Sequence, residues 1–393
     1  MTIIITILLA LLVIYLDYKA YRRIETYSLH KAVKYTFLSI VGLSYLLILL
    51  TPVFMYLIID ESNCAYMMKI SMIFLTTYLV LSIPRLIFYL FWLPSKKKYW
   101  MWTGTAVSSI VLLTLLYSVF VTRTDYMVTH TSITYKNLPE SFDGYKLVFI
   151  SDMHCGSMID AEDDIKEIAG IINGIDADMV LFGGDIINVH NSEISRSVLD
   201  ELSCIKARDG VFMALGNHDT GSYIKNSSKA KREANIAGLV AKMESAGWCV
   251  LRDSTVYIHR GSDSIAVTGI DYNEKLLEYK HSMDAIKGVD LDGIYKNVPD
   301  SVFNITISHL PQLWHAICDG GYSDLTLSGH IHAMQIKIFS FSPAQVMYDE
   351  WSGLYRRDKG YLYINDGIGC VGYLARIGVR PEITVIELKS EKS

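Results

Sequence analysis

The stretch DLTLSGHIHAMQ, residues 324–335, sets two histidines either side of one isoleucine, directly behind an apolar run that stops at a glycine. Alternate residues on an extended chain point to opposite faces, so a regular strand would separate the two rings. Just past a strand end, where Gly329 loosens the backbone, His330 and His332 can converge on one ion. Taken alone, the pair also reads as two exposed turn histidines. What decides between the two is how the other apolar runs of the chain end.

Five of them end alike. KLVFIS (146–151) leads into Asp152-Met153-His154, DMVLFGG (178–184) into Asp185, and GVFMALG (210–216) into Asn217-His218-Asp219. FNITIS (303–308) leads into His309, and DLTLSG (324–329) into His330-Ile331-His332. Helical stretches such as AEDDIKEIAGIING (161–174) and KREANIAGLVAKMESAG (231–247) fall between such runs, the alternation expected of an α/β domain. In open α/β sheets ligands bind beyond the carboxyl ends of the strands. Each motif alone is more often a capped turn, but five in series at strand ends indicate a metal site.

Seven candidate donors result: Asp152, His154, Asp185, Asn217, His309, His330 and His332. That exceeds what one ion uses alongside water, and a carboxylate such as Asp185 can bridge two ions roughly 3.5–4 Å apart. Mixed imidazole and oxygen donors suit Mn, Fe or Zn rather than Mg or Ca. Two divalent ions, two aspartates and one bridging hydroxide leave a net charge of about +1, suited to a phosphate ester.

Hydrophobic residues make up 51% of the 393, and the excess lies at the front. Residues 2–16, 36–59, 70–93 and 99–121 are four apolar runs. About 20 apolar residues cross a bilayer; the last three runs meet that length and the first is marginal. A cleaved signal peptide competes for the first run, but no positive charge precedes it and no small-x-small site closes it. Four membrane helices over 1–121 are therefore expected, with a catalytic domain over 122–393. Arg85, towards the end of the third helix, is expected to snorkel to the surface near Lys96–Lys98.

Residues 1–121 hold 10 Lys and Arg against 4 Asp and Glu, net +6, whereas the remaining 272 hold 26 against 37, net −11. An acidic soluble part argues against nucleic acid as a partner. The loops after the first and third helices carry Lys19, Arg22, Arg23, Lys31, Lys34 and Lys96–Lys98, while the second has only Lys69 beside Asp60 and Glu61. Positive loops stay inside, which predicts an integral protein of the cell (inner) membrane with its catalytic domain on the extracytoplasmic side. None of the six cysteines forms a CxxC pair, so no disulfide framework is implied.

With these motifs in order, the chain resembles the calcineurin-like metallophosphoesterases, whose pattern is D-x-H, G-D-x-x-[DN], G-N-H-[DE], a lone His and G-H-x-H. Here it reads Asp152-Met153-His154, Gly184-Asp185-Ile186-Ile187-Asn188, Gly216-Asn217-His218-Asp219, His309 and Gly329-His330-Ile331-His332, over residues 145 to 388. The resemblance implies a sandwich of two mixed sheets flanked by helices. It implies one metal held by Asp152, His154, Asp185 and His332, and a second held by Asp185, Asn217, His309 and His330. It also implies that Asn188 holds the catalytic histidine. Within the family the chain looks most like the branch with N-terminal membrane segments or export signals, some of which cleave phosphodiester or pyrophosphate bonds of lipid-linked substrates. Two departures stand out: Ala333-Met334 replaces a frequent Gly-Gly, and Asn188 replaces a frequent Asp.

The expected activity is hydrolysis of a phosphoester, with a lipid-linked one among the candidates, by in-line attack of a metal-bridging hydroxide. His218, the motif histidine left without a metal, is placed to protonate the leaving oxygen; Asp219 orients it or caps the following turn. His190 and His315 are expected away from the metals, Cys155 as a small filler, and Arg376 and Arg380 in ion pairs. The competing class is a membrane sensor or transporter subunit that binds a phosphorylated ligand without turnover. Its best support is the helical bundle; against it, the ligand set has no gap.

Overall fold

In the segment Leu147-Val148-Phe149-Ile150 alternate side chains enter different cores. Leu147 and Phe149 join one apolar cluster, Val148 and Ile150 another. Met179 and Leu181 against Val180 and Phe182 repeat the split. A strand buried on both faces reads as a continuous apolar run, so these segments form the middle of a layered domain.

The computed structural model describes residues 2–27, 31–57, 63–224, 227–278 and 284–391. They form two compact units. One comprises Met1–Ile58, Ile70–Phe120 and Gly372–Ala375; the other comprises Ile59–Lys69, Val121–Val371 and Arg376–Ser393.

The first unit is built on α1 (Thr2–Thr26), α2 (Lys31–Pro52), α3 (Cys64–Trp92) and α4 (Lys98–Phe120). Among the described residues, three helices are long and apolar enough to cross a membrane: Lys31–Met55, Cys64–Trp92 and Lys98–Thr124. The first apolar run lies inside α1, whose side chains are described from Leu8 onward, and the last residues of run 36–59 fall outside the described set. Arg85 does not snorkel. Its Nε lies 3.2 Å from Asp17 Oδ1, its side chain is 8% exposed, and it donates to Ser44 Oγ at 3.0 Å. Tyr45 and Tyr89 donate to the same Asp17 carboxylate at 2.6 and 2.8 Å. Inside an apolar bundle a paired charge costs less than a long side chain stretched to water.

The second unit is a sandwich of two six-stranded mixed sheets flanked by helices. Its first sheet contains β1 (Met127–Tyr135), β2 (Tyr145–Ile150), β3 (Met179–Phe182), β4 (Val211–Met213), β5 (Trp248–Val250) and β12 (Glu382–Ser390). Their spatial order is β1-β12-β2-β3-β4-β5, and only β12 with β2 is antiparallel. The second sheet contains β6 (Ser254–Arg260), β7 (Asp263–Gly269), β8 (Phe303–Ile307), β9 (Leu325–Ser328), β10 (Gly353–Arg357) and β11 (Gly360–Ile364). Its order is β10-β11-β9-β8-β7-β6, with a parallel centre and an antiparallel strand at each edge. Phe149, Leu181, Phe212, Ile305 and Leu327 fill the space between the sheets. Outside the first sheet lie α5 (Ala161–Gly174) and α6 (Lys229–Ser245), which bury Ile165, Ile168, Leu239 and Met243 against it. Asp160 and Ser228 cap these helices, accepting from Asp163 N and Lys231 N. The edge strands β6 and β10 have no uniform apolar run and β5 is only three residues long, so the sequence pattern does not announce them.

Candidate metal centre

Every motif residue sits in a loop just beyond a strand. The loops after β2, β3 and β4 come from one sheet, those after β8 and β9 from the other. Two groups of donor atoms result, each within 4.8 Å of one another: Asp152, His154 and His332, and Asp185, His309 and His330. In the first, His332 Nε2 lies 3.0 Å from Asp152 Oδ1 and 3.3 Å from His154 Nε2. In the second, His309 Nε2 lies 3.2 Å from Asp185 Oδ2 and 3.1 Å from Asn217 Oδ1. Asp185 Oδ2 is also 3.8 Å from His154 Nε2, so one carboxylate faces both groups.

The backbone is strained where these groups form. Asp152, His154, Asp185, His330 and His332 all have positive φ, between 48° and 73°. Non-glycine residues in that region cost about 1–3 kcal/mol each and persist only where surrounding structure enforces them. The run continues through Ala333, Met334 and Gln335 at φ 48°, 49° and 56°. The frequent Gly-Gly is thus replaced by side-chain-bearing residues in glycine's own conformation. Gly184 (φ 92°) is required outright, since a Cβ there would meet Gly216 N at 2.6 Å.

Burial alone would raise Asp152 and Asp185, but His332 beside the first and His309 beside the second hold both carboxyls well below their usual range. Burial keeps His154 far below its ordinary value and takes His330 down to about 3, so both rings are neutral and can offer a lone pair. His309 runs the other way: burial lowers it, and Asp185 raises it to about 9. Where the carboxylates hold a proton so firmly, a cation is also favoured. The Nδ1 atoms of His154 and His332 are buried without a hydrogen-bond partner, while their Nε2 atoms face each other across 3.3 Å. Two ring nitrogens at that spacing beside a carboxylate fit a shared divalent ion, so the donors present suit the metals that the chemistry implies.

His218 donates from Nδ1 to the backbone carbonyl of Asn188 at 2.6 Å, and its backbone N–H donates to Asp185 Oδ1 at 2.8 Å. The Asn188 side chain takes no part, as its Oδ1 is buried without a partner. The observed support of His218 therefore comes from the backbone of residue 188, not from its side chain. Asp219 does not touch the His218 ring; its carboxylate accepts from the N–H groups of Asp185, Ile186, Ile187 and Gly216. It shapes the two loops that carry Asp185 and Asn217.

Two supports have no signal in the motifs. Tyr223 stacks on His218, and its hydroxyl accepts from Asn217 Nδ2 at 2.9 Å. Glu193 accepts from the N–H groups of Gly156, Asn188, Val189 and His190, tying the first motif loop to the second. Away from the centre, His190 caps a short turn and His315 pairs with Glu350. Cys155 is buried, and burial pushes its thiol up. Arg380 pairs with Asp125, whereas Arg376, fully buried, binds the carbonyls of Asp366 and Gly369 rather than an acid.

Residues 145–334 match the model of the calcineurin-like phosphoesterases. An uncharacterized metallophosphoesterase of Bacillus subtilis, YkuE, is 30% identical over 277 residues, 67% of this chain and 87% of the relative. The chain belongs to this family. A calcineurin-like phosphoesterase of this kind is a metal-dependent phosphoric ester hydrolase that uses two divalent ions, in keeping with the two donor groups. A transmembrane protein with metallophosphoesterase domain from Danio rerio is 31% identical over 269 residues, covering 67% of this chain and 57% of that protein. The UDP-2,3-diacylglucosamine pyrophosphatase LpxG of Chlamydia muridarum is 25% identical over 277 residues, 59% of this chain and 81% of that one. The three apolar helices and the transmembrane relative make this phosphoesterase a membrane protein.

Proposed function

We propose that residues 122–393 form a dinuclear phosphoesterase anchored by residues 1–121, cleaving a phosphodiester or pyrophosphate bond of a lipid-linked substrate. The observation that carries this is Asp185, whose carboxylate faces both donor groups. Asp152, His154, Asp185 and His332 would hold one ion, and Asp185, Asn217, His309 and His330 the other, with Mn, Fe or Zn suited to the mixed donors. When bound, the ions lower the pKa of water towards neutrality and offset charge on the phosphoryl oxygens. The chain supplies the remainder. With Nδ1 donating to Asn188, His218 has Nε2 left to pass a proton to the leaving oxygen. Asp219 keeps the two loops closed around it. The diacylated nucleotide sugar in the name of the Chlamydia relative, taken with the apolar helices, supports a lipid-linked substrate. A non-catalytic sensor has no support in a donor set without a gap.

The extracytoplasmic placement rests on charge. Arg23, in the first basic segment, donates to the carbonyl of Leu93 at 3.1 Å beside the second basic segment at Lys96–Lys98. The two positive segments thus share one end of the helical unit, the end that stays inside. In intact spheroplasts an added protease should digest the catalytic unit; protection until lysis would reverse the orientation. For the chemistry, the full-length chain should hydrolyse a chromogenic phosphodiester with added Mn. Turnover that persists after thorough chelation would end the two-metal reading.

A further inference from the structure

We propose that residues 338–341, with Val346 and Met347, form a wedge that inserts into the acyl layer of a lipid bilayer. Ile338 and Phe341 exchange backbone hydrogen bonds at 2.9 and 3.1 Å, leaving Phe339 and Ser340 at the tip of a two-residue hairpin. Such tips favour Asn and Gly, because the backbone there needs positive φ. Phe339 nevertheless occupies it at φ 56° and is 98% exposed. A bulky apolar residue there is costly twice over in water, in backbone strain and in exposed surface. Both the cost of exposure and the choice of residue make sense if the ring is buried in something.

The neighbourhood has the same character. Val346 is 78% exposed, Met347 60%, Phe341 55% and Ile338 53%. Such a cluster of exposed large apolar side chains marks an interaction surface. The base beneath it is fixed. Gln335 exchanges two hydrogen bonds with the backbone of Val371, Lys337 N donates to Ile377 O at 2.8 Å, and Ser342 Oγ donates to Ala333 O at 2.7 Å. The hairpin is therefore a projecting tip on a firm base.

The composition selects a bilayer over a protein partner. Protein interfaces ring an apolar centre with a polar, hydrogen-bonding rim. Between Ala333 and Tyr348 the single charged side chain is Lys337, whose ammonium lies 5.3 Å from the ring centre of Trp351; the acids Asp349 and Glu350 lie between Tyr348 and that tryptophan, Glu350 paired with His315. Lysine and tryptophan beside an aliphatic and aromatic tip are the residue types enriched at the membrane interface. The chain also carries its own bilayer-crossing helices, so a lipid surface is present at high effective concentration. His332 lies six residues before Ile338, so insertion would hold a bilayer close to the lip of the metal centre. That consequence for substrate access, though not the insertion itself, rests on the lipid-linked reading above.

The test uses full-length protein in lipid nanodiscs, with exposed Cys204 and Cys249 and half-buried Cys318 replaced by serine. A spin label is placed at 339 through Phe339→Cys, and in a control at 136 through Lys136→Cys, a side chain 88% exposed. Collisional relaxation by oxygen, which partitions into lipid, is compared with that by a water-soluble nickel chelate. Insertion predicts that oxygen dominates at 339 and nickel at 136. A label at 346 should lose its lipid signature when Phe339→Asp and Phe341→Asp are introduced together. Nickel access at 339 equal to that at 136 would overturn the proposal, and so would shielding from both relaxants, the mark of a protein partner or a second copy. The readout needs neither metal nor turnover, so its failure and that of the phosphoesterase reading are separable.

Discussion

The rings of Tyr223 and His218 stack with centroids 4.2 Å apart and planes 14° from parallel. The same tyrosine accepts a hydrogen bond from Asn217 Nδ2, which turns the amide oxygen of Asn217 towards His309. One side chain thus sets both the proposed proton donor and one proposed ligand. Tyr223→Phe keeps the stack and loses the hydroxyl, so metal affinity should fall by roughly 10–100-fold while turnover at saturating Mn changes little. Tyr223→Ala should lower turnover as well. Activity titrated against Mn separates the two; equal metal affinity in wild type and Tyr223→Phe would remove the ligand-positioning role.

His218→Ala should leave metal content intact and slow turnover by about 10²–10⁴-fold, the usual worth of a general acid. Substrates with good leaving groups need no proton and should be slowed much less. Metal analysis and rates for two leaving groups decide it. Loss of metal, or equal slowing of both substrates, would reassign the residue.

Ala333 is buried at φ 48°. In Ala333→Gly, relief of about 1–2 kcal/mol of strain is offset by about 0.8 kcal/mol of lost methyl burial and about 0.5–1 kcal/mol of chain entropy. The midpoint of thermal unfolding should hardly move. Ala333→Val, β-branched at the same φ, should lower stability by more than about 2 kcal/mol. Similar losses for both variants would mean that packing, not backbone conformation, sets this position.

Burial pushes Glu193 up from 4.5 to about 7, against the N–H donors that hold its charge. A carboxyl raised on folding contributes stability that is complete below pH 4.5 and is lost as pH rises towards 7. Glu193→Gln does not titrate. The stability difference between wild type and this variant should therefore shift against the wild type by up to about 3 kcal/mol over that range, at about 1.4 kcal/mol per unit. Denaturation of both proteins at pH 4.5, 6 and 8 measures it. A shift in the opposite direction would mean that the four amide bonds outweigh desolvation.

Asp17 and Arg85 form a buried pair in the helical unit. Asp17→Leu alone leaves a buried guanidinium without its acid and should cost about 3–5 kcal/mol. Asp17→Leu with Arg85→Met should recover most of that loss. Thermal midpoints in detergent report it; a double variant as unstable as the single one would show that the tyrosine hydroxyls, left without an acceptor, dominate.

The strand order of the motifs, the α/β class and the apolar helices could be read from the sequence because each rests on local pattern, whereas the two-sheet sandwich was implied only by the resemblance of the motifs to a known family. A run such as KLVFIS followed by Asp152 carries its own period and its own stop, and 20 apolar residues report their solvent without reference to the fold. Edge strands such as β6 and β10 lack that pattern and appear only once their neighbours are in place. The centre itself depends on distant parts of the chain. His154 and His332, 178 residues apart, meet only when the two sheets pack. Packing also decided that Asn188 supports His218 through its carbonyl, that Asp219 binds loop amides, and that Arg85 turns inward to Asp17. A side chain's type announces which bonds it can make, but which bond it makes is set by the groups that folding places within 3 Å of it, and burial then makes that choice costly to leave unfilled.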